Sequence, residues 1–282
     1  MINFNEYLTG KKNYLNEFLF IPLSQMKLPF YKYQGTGNDF IIIDNRNESF
    51  PKNDIQLISK LCDRRFGIGA DGLLLLENHD KLDFTMVYYN ADGNLGSMCG
   101  NGARCIVHFA NHLGIINDKA VFEAVDGSHA ASIENGIVSL KMNDVRDVNV
   151  LDTHVFLDTG SPHHVQMVTN LEEYDVENKG SYIRNTTYGK EGSNINFVEA
   201  IDDNTFAVRT YERGVEAETL SCGTGVTAVA IALFETQKTA SDKVELSTKG
   251  GILKVKFNKA ERSYTEVYLE GPATLVFKGT WT

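Results

Sequence analysis

The same pattern of cysteine and glycine occurs twice in this chain, at a fixed offset of 123 residues. Its centre is Cys-Gly-Asn-Gly at 99–102, which recurs as Cys-Gly-Thr-Gly at 222–225, and a helical run follows each copy. The coincident pairs are Gly37 and Gly160, Gly69 and Gly192, Tyr88 and Tyr211, Cys99 and Cys222, Gly100 and Gly223, Gly102 and Gly225, and Gly127 and Gly250. This repeat predicts two similar domains, each with one thiol on a loop that leads into a helix, facing each other across a cleft.

Local patterns favour an α+β fold. Short β-rich apolar runs recur throughout: 40–44, 72–77, 84–89, 129–142, 196–200, 206–211, 252–257 and 266–271. Helical periodicity is limited to 53–65, 101–113 and 224–238. The expected segments are an N-terminal extension of unknown role at 1–25, a domain with Cys99 at 26–147 that the C-terminal strand 271–282 completes, and a domain with Cys222 at 148–270.

Charge and composition exclude several classes of function. The chain of 282 residues has 27 Lys and Arg against 37 Asp and Glu, and its net charge of -10 disfavours nucleic acid or an anionic membrane as a partner. No apolar run reaches the roughly 18 residues of a transmembrane helix. Four cysteines are too few for a disulfide scaffold, so we expect a cytoplasmic protein whose individual thiols matter.

Three other motifs favour ordinary structural roles. The glycines of GIGADG (67–72) precede a strand, whereas a dinucleotide fingerprint needs a strand before them and a helix after them. His108 and His112 have zinc-compatible spacing but no evident third ligand, so we expect no metal site. Cys62 and Cys105 lie in apolar helical runs and are expected to be buried core thiols.

Cys99 and Cys222 differ because each precedes a predicted helix, where free backbone N–H groups favour a thiolate. Two equivalent thiols suit the transfer of a proton across one carbon, one removing it as a thiolate and the other delivering a proton to the opposite face. A structural role or a disulfide remains the alternative. Nucleophilic catalysis needs only one thiol and a base, and a redox pair is more often a local C-x-x-C.

Polar residues at repeat-related loops are expected to line the same cleft. Under the 123-residue offset the equivalent pairs are Asn38 and Ser161, Asn90 and Arg213, and Asp71 and Asn194. Glu212 and Arg213 are adjacent at a strand end, so together they could bind the ammonium and carboxylate groups of a zwitterion.

Eight motifs, in order, resemble the diaminopimelate epimerase family: GTGNDF (35–40), RFGIGADG (65–72), YYNADG (88–93), MCGNGARC (98–105), GSPHHV (160–165), EGSNINFVE (191–199), TYERGVEAETLSCGTG (210–225) and GPATLVFKG (271–279). The resemblance covers the chain from about Met26 onward. It implies two domains, each a mixed sheet wrapped around a central helix, and usually a homodimer. It also implies a cofactor-independent epimerase that converts LL-2,6-diaminopimelate to the meso form, a step toward lysine and peptidoglycan precursors.

The resemblance also implies roles for individual residues. Cys99 and Cys222 match the catalytic pair, and His163 and Glu212 match residues that adjust the pKa values of the thiols. The matching substrate-binding residues are Asn38, Asn90, Gly100, Asn101, Ser161, Asn194, Glu212, Arg213, Gly223 and Thr224. Ser161 departs from the family, which often has Asn there, so a hydroxyl with a shorter reach replaces an amide.

Two kinds of alternative stay open. Proline or hydroxyproline racemases and phenazine-biosynthesis isomerase-like proteins share the two-domain plan, but the YERG and NADG motifs favour a substrate with a second charged terminus. An amino-acid-binding protein with a duplicated fold is the non-enzymatic alternative, and it would have no need of two matched thiols.

Overall fold

The computed structural model describes residues 27–282, so the extension expected at 1–25 lies outside the described residues. The strands are β1 (Leu28–Gly35), β2 (Asn38–Asp44), β3 (Gly72–Glu77), β4 (Phe84–Asn90), β5 (Lys119–Ala124), β6 (Gly127–Glu134), β7 (Ile137–Lys141), β8 (Val148–Val150), β9 (Val155–Asp158), β10 (Pro162–Met167), β11 (Asn194–Ala200), β12 (Thr205–Glu212), β13 (Ala217–Thr219), β14 (Lys243–Thr248), β15 (Gly251–Ala260), β16 (Ser263–Pro272) and β17 (Thr274–Trp281). The helices are α1 (Ile55–Cys62), α2 (Gly100–His112), α3 (Val176–Thr186) and α4 (Gly223–Glu235).

The duplication predicted from the sequence is confirmed by the order of these elements. Helices α2 and α4 begin and end at positions 123 residues apart. In one half the strands pair in the order β17–β1–β2–β3–β4–β5–β6–β7, with β2–β3 and β4–β5 parallel. In the other half the order is β8–β9–β10–β11–β12–β14–β15–β16, with β10–β11 and β12–β14 parallel. Each half is therefore a mixed sheet, as expected, and β7 joins β16 as an antiparallel pair.

Helices α2 and α4 are the central helices of the two halves. α4 is apolar on nearly its whole circumference, and ten of its thirteen residues are buried, which is the pattern of a helix enclosed by other elements. Nine residues of α2 are buried as well, among them Cys105, so the prediction of a core thiol there is confirmed.

The outer helices cover the opposite face of each sheet. Asp54 caps α1, accepting a hydrogen bond from the backbone N–H of Leu57, and buried Cys62 lies at the end of that helix, as predicted. α3 packs on β11 and β12 in the second half. Strands β2 and β3 are consequently buried on both faces, which explains their unbroken apolar runs.

Two rejected motifs have structural roles. Residues 67–71 form a loop that ends where β3 begins, so no helix follows the glycines of GIGADG. His108 lies on α2 with its Nδ1 3.3 Å from the hydroxyl of Tyr33. Within residues 27–282, no helix has both the length and the apolar character needed to cross a membrane.

Candidate active site

Cys99 and Cys222 occupy the same structural position, the N-cap of a central helix. Both have extended backbone angles, with φ and ψ of -116° and 116° at Cys99 and of -128° and 115° at Cys222. Neither side chain makes a capping hydrogen bond, so the first backbone N–H groups of both helices are available to an anion, whether a cysteine thiolate or a bound carboxylate.

The two helices meet at these N-termini. A Cβ atom added to Gly223 would lie only 3.7 Å from the Cα of Gly100, so the first residues of the two helices are in close contact. It would also lie 2.9 Å from the Cδ2 of Leu269, whose side chain would have to shift. The contact between the two helices also places both cysteines at the junction, because Cys99 immediately precedes Gly100 and Cys222 immediately precedes Gly223. The duplicated sequence thus becomes a pair of thiols at the junction of the two halves.

Hydrogen bonds across the junction hold the halves in register. The Ser221 hydroxyl donates to the backbone carbonyl of Thr36 over 2.9 Å. The Asn101 amide nitrogen lies 3.3 Å from the carbonyl oxygen of Ser221, and the Oδ1 atom of Asn101 accepts from Arg104 over 3.0 Å. Asn101, predicted as a binding residue, therefore fixes the junction through its side chain and leaves only its backbone N–H for an anion.

Burial raises the pKa of both thiols. At Cys222 burial and the nearby carboxylate of Glu212 raise the pKa to about 12, partly offset by the Thr224 hydroxyl and the Gly225 backbone N–H. At Cys99 burial again raises the pKa, and the backbone N–H groups of the first helical turn oppose it. Both thiols therefore need donors, or a bound cation, to become thiolates.

Asn38 lies directly beside Cys99. Its amide nitrogen donates to the Asp71 carboxylate over 2.7 Å, which turns its oxygen toward Cys99. The Sγ atom of Cys99 lies 3.7 Å from that Oδ1 atom. Since an amide oxygen only accepts, this contact suits the protonated form of the Cys99 thiol.

Cys222 has a different polar neighbour, the hydroxyl of Thr224, at 3.5 Å from its Sγ atom. The same hydroxyl lies 3.0 Å from the Nε2 atom of His163. Burial, reinforced by Arg213, lowers the pKa of His163 to about 3, so the ring is neutral at physiological pH. His163 thus reaches Cys222 only through Thr224.

A second polar group surrounds Arg213 in the same half. The Asn194 amide nitrogen donates to Ser161 Oγ over 2.9 Å, and its Oδ1 accepts from the backbone N–H of Arg213 over 2.9 Å. The guanidinium of Arg213 lies 3.3 Å from Ser161 Oγ and donates to the carbonyl of Glu191. Ser161 therefore anchors two predicted binding residues. Arg213 as a whole is exposed to solvent.

Glu212 lies at the end of β12, close enough to both cysteines for its charge to act on each thiol. Burial raises the pKa of its carboxyl, and a hydrogen bond from the Thr219 hydroxyl, 2.9 Å long, opposes that rise. Asn90 ends β4, the equivalent strand of the first half, and is exposed opposite Gly72. Within residues 27–282, the side chain of Asn90 forms no hydrogen bond with the other predicted site residues.

Two buried polar side chains at the site were missed by sequence reasoning. Arg104 of α2 is fully buried and donates to Asn101 and to the Thr36 hydroxyl, while burial lowers its pKa. Asn196 of β11 is also fully buried, with its amide nitrogen 3.1 Å from the Nδ1 of His163. An Arg inside an apolar helical run, and an Asn two residues after Asn194 on the same strand face, were the available signals.

Solved structures of other proteins share this fold. A PhzF-family phenazine biosynthesis protein from Bacillus anthracis superposes with a TM-score of 0.73, over 91% of this chain and 99% of that chain at 14% identity. A hydroxyproline epimerase from Agrobacterium vitis superposes with a TM-score of 0.66, over 91% of this chain and 92% of that chain at 13% identity. The protein therefore shares the fold of these two proteins, and in this chain a cysteine lies at the start of each central helix.

Sequence comparison is more specific. A family model described as diaminopimelate epimerase matches residues 30–146 and 155–276. A diaminopimelate epimerase from Flavobacterium psychrophilum is 58% identical over 257 residues, covering 90% of this chain and all of that protein. One from Chlorobaculum tepidum is 44% identical over 260 residues, covering 88% and 99%. The chain belongs to the diaminopimelate epimerase family and is an isomerase, so the family predicted from the motifs is confirmed.

Proposed function

We propose that this protein converts LL-2,6-diaminopimelate to the meso form with Cys99 and Cys222 as the acid–base pair and without a cofactor. The observation that carries the proposal is that two helix N-termini meet at one junction, and a free cysteine occupies the N-cap position of each helix. In the reaction one cysteine, as a thiolate, takes the α-proton, and the other thiol gives its proton to the opposite face of the same carbon. The two cysteines exchange protonation states in each turnover.

The free N–H groups of the two helices supply the site for the α-carboxylate of the reacting centre. Gly100 and Asn101 open α2, and Gly223 and Thr224 open α4, so backbone donors from both halves converge on one anion. These donors also stabilise the negative charge that develops next to the α-carbon when the proton leaves.

The polar group around Arg213 is proposed to bind the distal amino acid terminus. The guanidinium can hold a carboxylate through two parallel hydrogen bonds, and Glu212 supplies a negative charge for an ammonium group. Ser161 and Asn194 orient Arg213, and Asn38 and Asn90 are proposed to supply the matching contacts in the first half. The side chains of His163 and Glu212 adjust the pKa values of the thiols.

Four single substitutions test the two-thiol mechanism. Replacing Cys99 or Cys222 by Ala should abolish turnover, whereas Cys62→Ala and Cys105→Ala, in the buried cores, should retain it. Each variant is incubated with LL-diaminopimelate in D2O and the product is examined for α-deuterated meso isomer. An active Cys222→Ala enzyme, or turnover of proline or hydroxyproline in place of diaminopimelate, would contradict the proposal.

The proposed assembly is a homodimer of a two-domain protein, with domains at 26–147 plus 271–282 and at 148–270. Strand β17 pairs with β1 along one edge and exposes Val276 and Phe277, and a second copy of the chain could cover these apolar side chains. We further propose that the protein works in the cytoplasm, whose reducing conditions keep both thiols free. Small molecules, rather than nucleic acid or membranes, are the proposed partners.

A further inference from the structure

The side-chain amide of Asn196 has an unambiguous orientation. Its nitrogen lies 2.9 Å from the backbone carbonyl of His164, which can only accept, so this atom must be the NH2 group. Its oxygen accepts from the Thr210 hydroxyl over 3.0 Å. The NH2 group also donates to the Nδ1 atom of His163, 3.1 Å away. Asn196 therefore requires a lone pair on that ring nitrogen.

This requirement determines the direction of the next two hydrogen bonds. With Nδ1 accepting, the neutral ring of His163 carries its proton on Nε2 and donates it to the Thr224 oxygen over 3.0 Å. Thr224 then has one hydroxyl proton left, and the Sγ atom of Cys222 lies 3.5 Å from that oxygen. A hydroxyl that donates to sulfur stabilises the thiolate over the thiol.

The first half of the protein lacks this chain of donors. Under the 123-residue offset, His163 corresponds to Phe40 and Asn196 to Leu73, both of which are fully buried and apolar. Thr224 corresponds to Asn101, whose side chain is bonded to the junction instead. The duplication thus serves as an internal comparison, in which two equivalent thiols have received different hydrogen-bond environments.

The polar neighbour of Cys99 also has the opposite hydrogen-bonding character. The amide nitrogen of Asn38 donates to Asp71, so its Oδ1 atom is the one that faces the Sγ atom of Cys99. An amide oxygen can only accept a hydrogen bond. Backbone N–H groups of the first helical turn act on both cysteines, those of Gly102 and Asn101 on Cys99 and that of Gly225 on Cys222. The Thr224 hydroxyl is the side-chain donor that Cys222 has and Cys99 lacks.

Other charged groups also face this region. The Glu212 carboxylate raises the pKa of both thiols. The charge of Cys99 raises the pKa of Cys222, and the Arg104 guanidinium lowers the pKa of Cys99. Arg213 faces His163. A substitution at Asn196 leaves all of these charges in place, so its effect on Cys222 can be separated from theirs.

We propose that Asn196 is a positioning residue for Cys222, which fixes the tautomer of His163 and so directs the Thr224 hydroxyl at the sulfur, stabilising the thiolate of this cysteine alone. The proposal rests on the acid–base role assigned to Cys222 above. Its consequence for the reaction is that the two thiols, although related by duplication, differ in how readily they release a proton.

The test measures alkylation of the two thiols separately, in the full-length protein without substrate. The rate of iodoacetamide modification is followed peptide by peptide with mass spectrometry between pH 6 and 9, where the rate is proportional to the thiolate fraction. Thr224→Val should slow modification of Cys222 about tenfold, equivalent to a rise of about one pKa unit, and leave Cys99 within twofold. Thr224→Ser, which keeps the hydroxyl, should restore the rate.

Asn196→Leu, which copies the residue at the equivalent position 73, should slow Cys222 by a similar factor. In the Thr224→Val background it should add no further effect, because both substitutions break the same chain. Thr236→Val is the matched control, since it removes a hydroxyl at the far end of the same helix, bonded to Ala232. Circular dichroism confirms that each variant is folded, and Asn196→Ala, which also removes the donor to Nδ1 of His163, replaces Asn196→Leu where the larger side chain prevents folding.

Three outcomes would overturn the proposal: equal slowing of Cys99 and Cys222, an unchanged Cys222 rate in Thr224→Val or in the Asn196 variant, or multiplicative effects in the double variant. Because alkylation needs no substrate, a protein that does not epimerise diaminopimelate can still show the selective effect. Failure of the substrate assignment is thereby distinguished from failure of this inference.

Discussion

A buried ion pair next to the site provides a quantitative test of the structure. Lys32 and Asp39 form a salt bridge of 2.6 Å with only 9% and 17% of their side chains exposed, and Arg64 adds a second bond of 2.7 Å to the same carboxylate. Lys32 also donates to the carbonyl of Gly69. Asp39→Asn would remove the charge that compensates buried Lys32.

The expected loss follows from this burial. Removal of one partner of a buried ion pair costs about 3–5 kcal/mol, because the remaining charge stays desolvated. Since Lys32 keeps the Gly69 carbonyl, we expect the lower end, about 3 kcal/mol, or a fall in Tm of roughly 10 °C. Urea denaturation followed by circular dichroism at pH 7 measures the change in the free energy of unfolding.

The same strand offers a matched control. Asp44, at the other end of β2, pairs with Arg46 over 2.7 Å, but their side chains are 31% and 41% exposed. Asp44→Asn should therefore cost less than about 1 kcal/mol. Adding Lys32→Met to Asp39→Asn should recover most of the loss, since no buried charge would remain unpaired. Equal losses in the two Asp→Asn variants, or no recovery in the double variant, would refute the reasoning.

The pH dependence has a defined sign. Burial alone would raise the pKa of Asp39, but hydrogen bonds from Arg64 and Lys32 outweigh it and hold the pKa well below its usual range. A carboxyl whose pKa is lower in the folded state stabilises the protein fully above its unfolded pKa of about 4, and the contribution is lost as pH falls. The difference in stability between the wild type and Asp39→Asn should therefore narrow below about pH 4.

Three further predictions concern the site. Arg213→Met should lower kcat/KM for diaminopimelate about tenfold to a hundredfold by removing a charged hydrogen bond, and an undiminished value would exclude Arg213 from recognition. Oxidation should join Cys99 and Cys222 in an inactivating disulfide that dithiothreitol reverses, whereas full activity with both thiols intact by mass spectrometry after oxidant would contradict a shared cleft. Gly225→Ala should reduce activity at least tenfold while the protein stays folded, because the new Cβ would lie 2.6 Å from Asn196 Oδ1 and 3.3 Å from Cys222 Sγ; wild-type kinetics would contradict the packing.

The sequence alone determined the duplicated architecture and the family. Recurring glycines and cysteines could be compared without a structure, because backbone conformations that need glycine leave the same mark in both copies. The apolar runs of β2 and β3 and the helices α2 and α4 followed from burial, since elements enclosed on all sides are predominantly apolar. For the same reason, Cys62 and Cys105 could be separated from Cys99 and Cys222.

Only the tertiary structure decided how the two halves differ. Asn196 lies within a strand that reads as core, and its function depends on His163, which is 33 residues away along the chain and adjacent in a parallel pair of strands. Arg104 is likewise an isolated charge in the sequence, and only the structure shows that its guanidinium donates to Thr36 and Asn101. Hydrogen bonds depend on distances of a few tenths of an ångström and on which atom donates, and neither is encoded in residue spacing. The repeat therefore predicts where both thiols lie, while the fold alone determines which donors and acceptors each thiol meets.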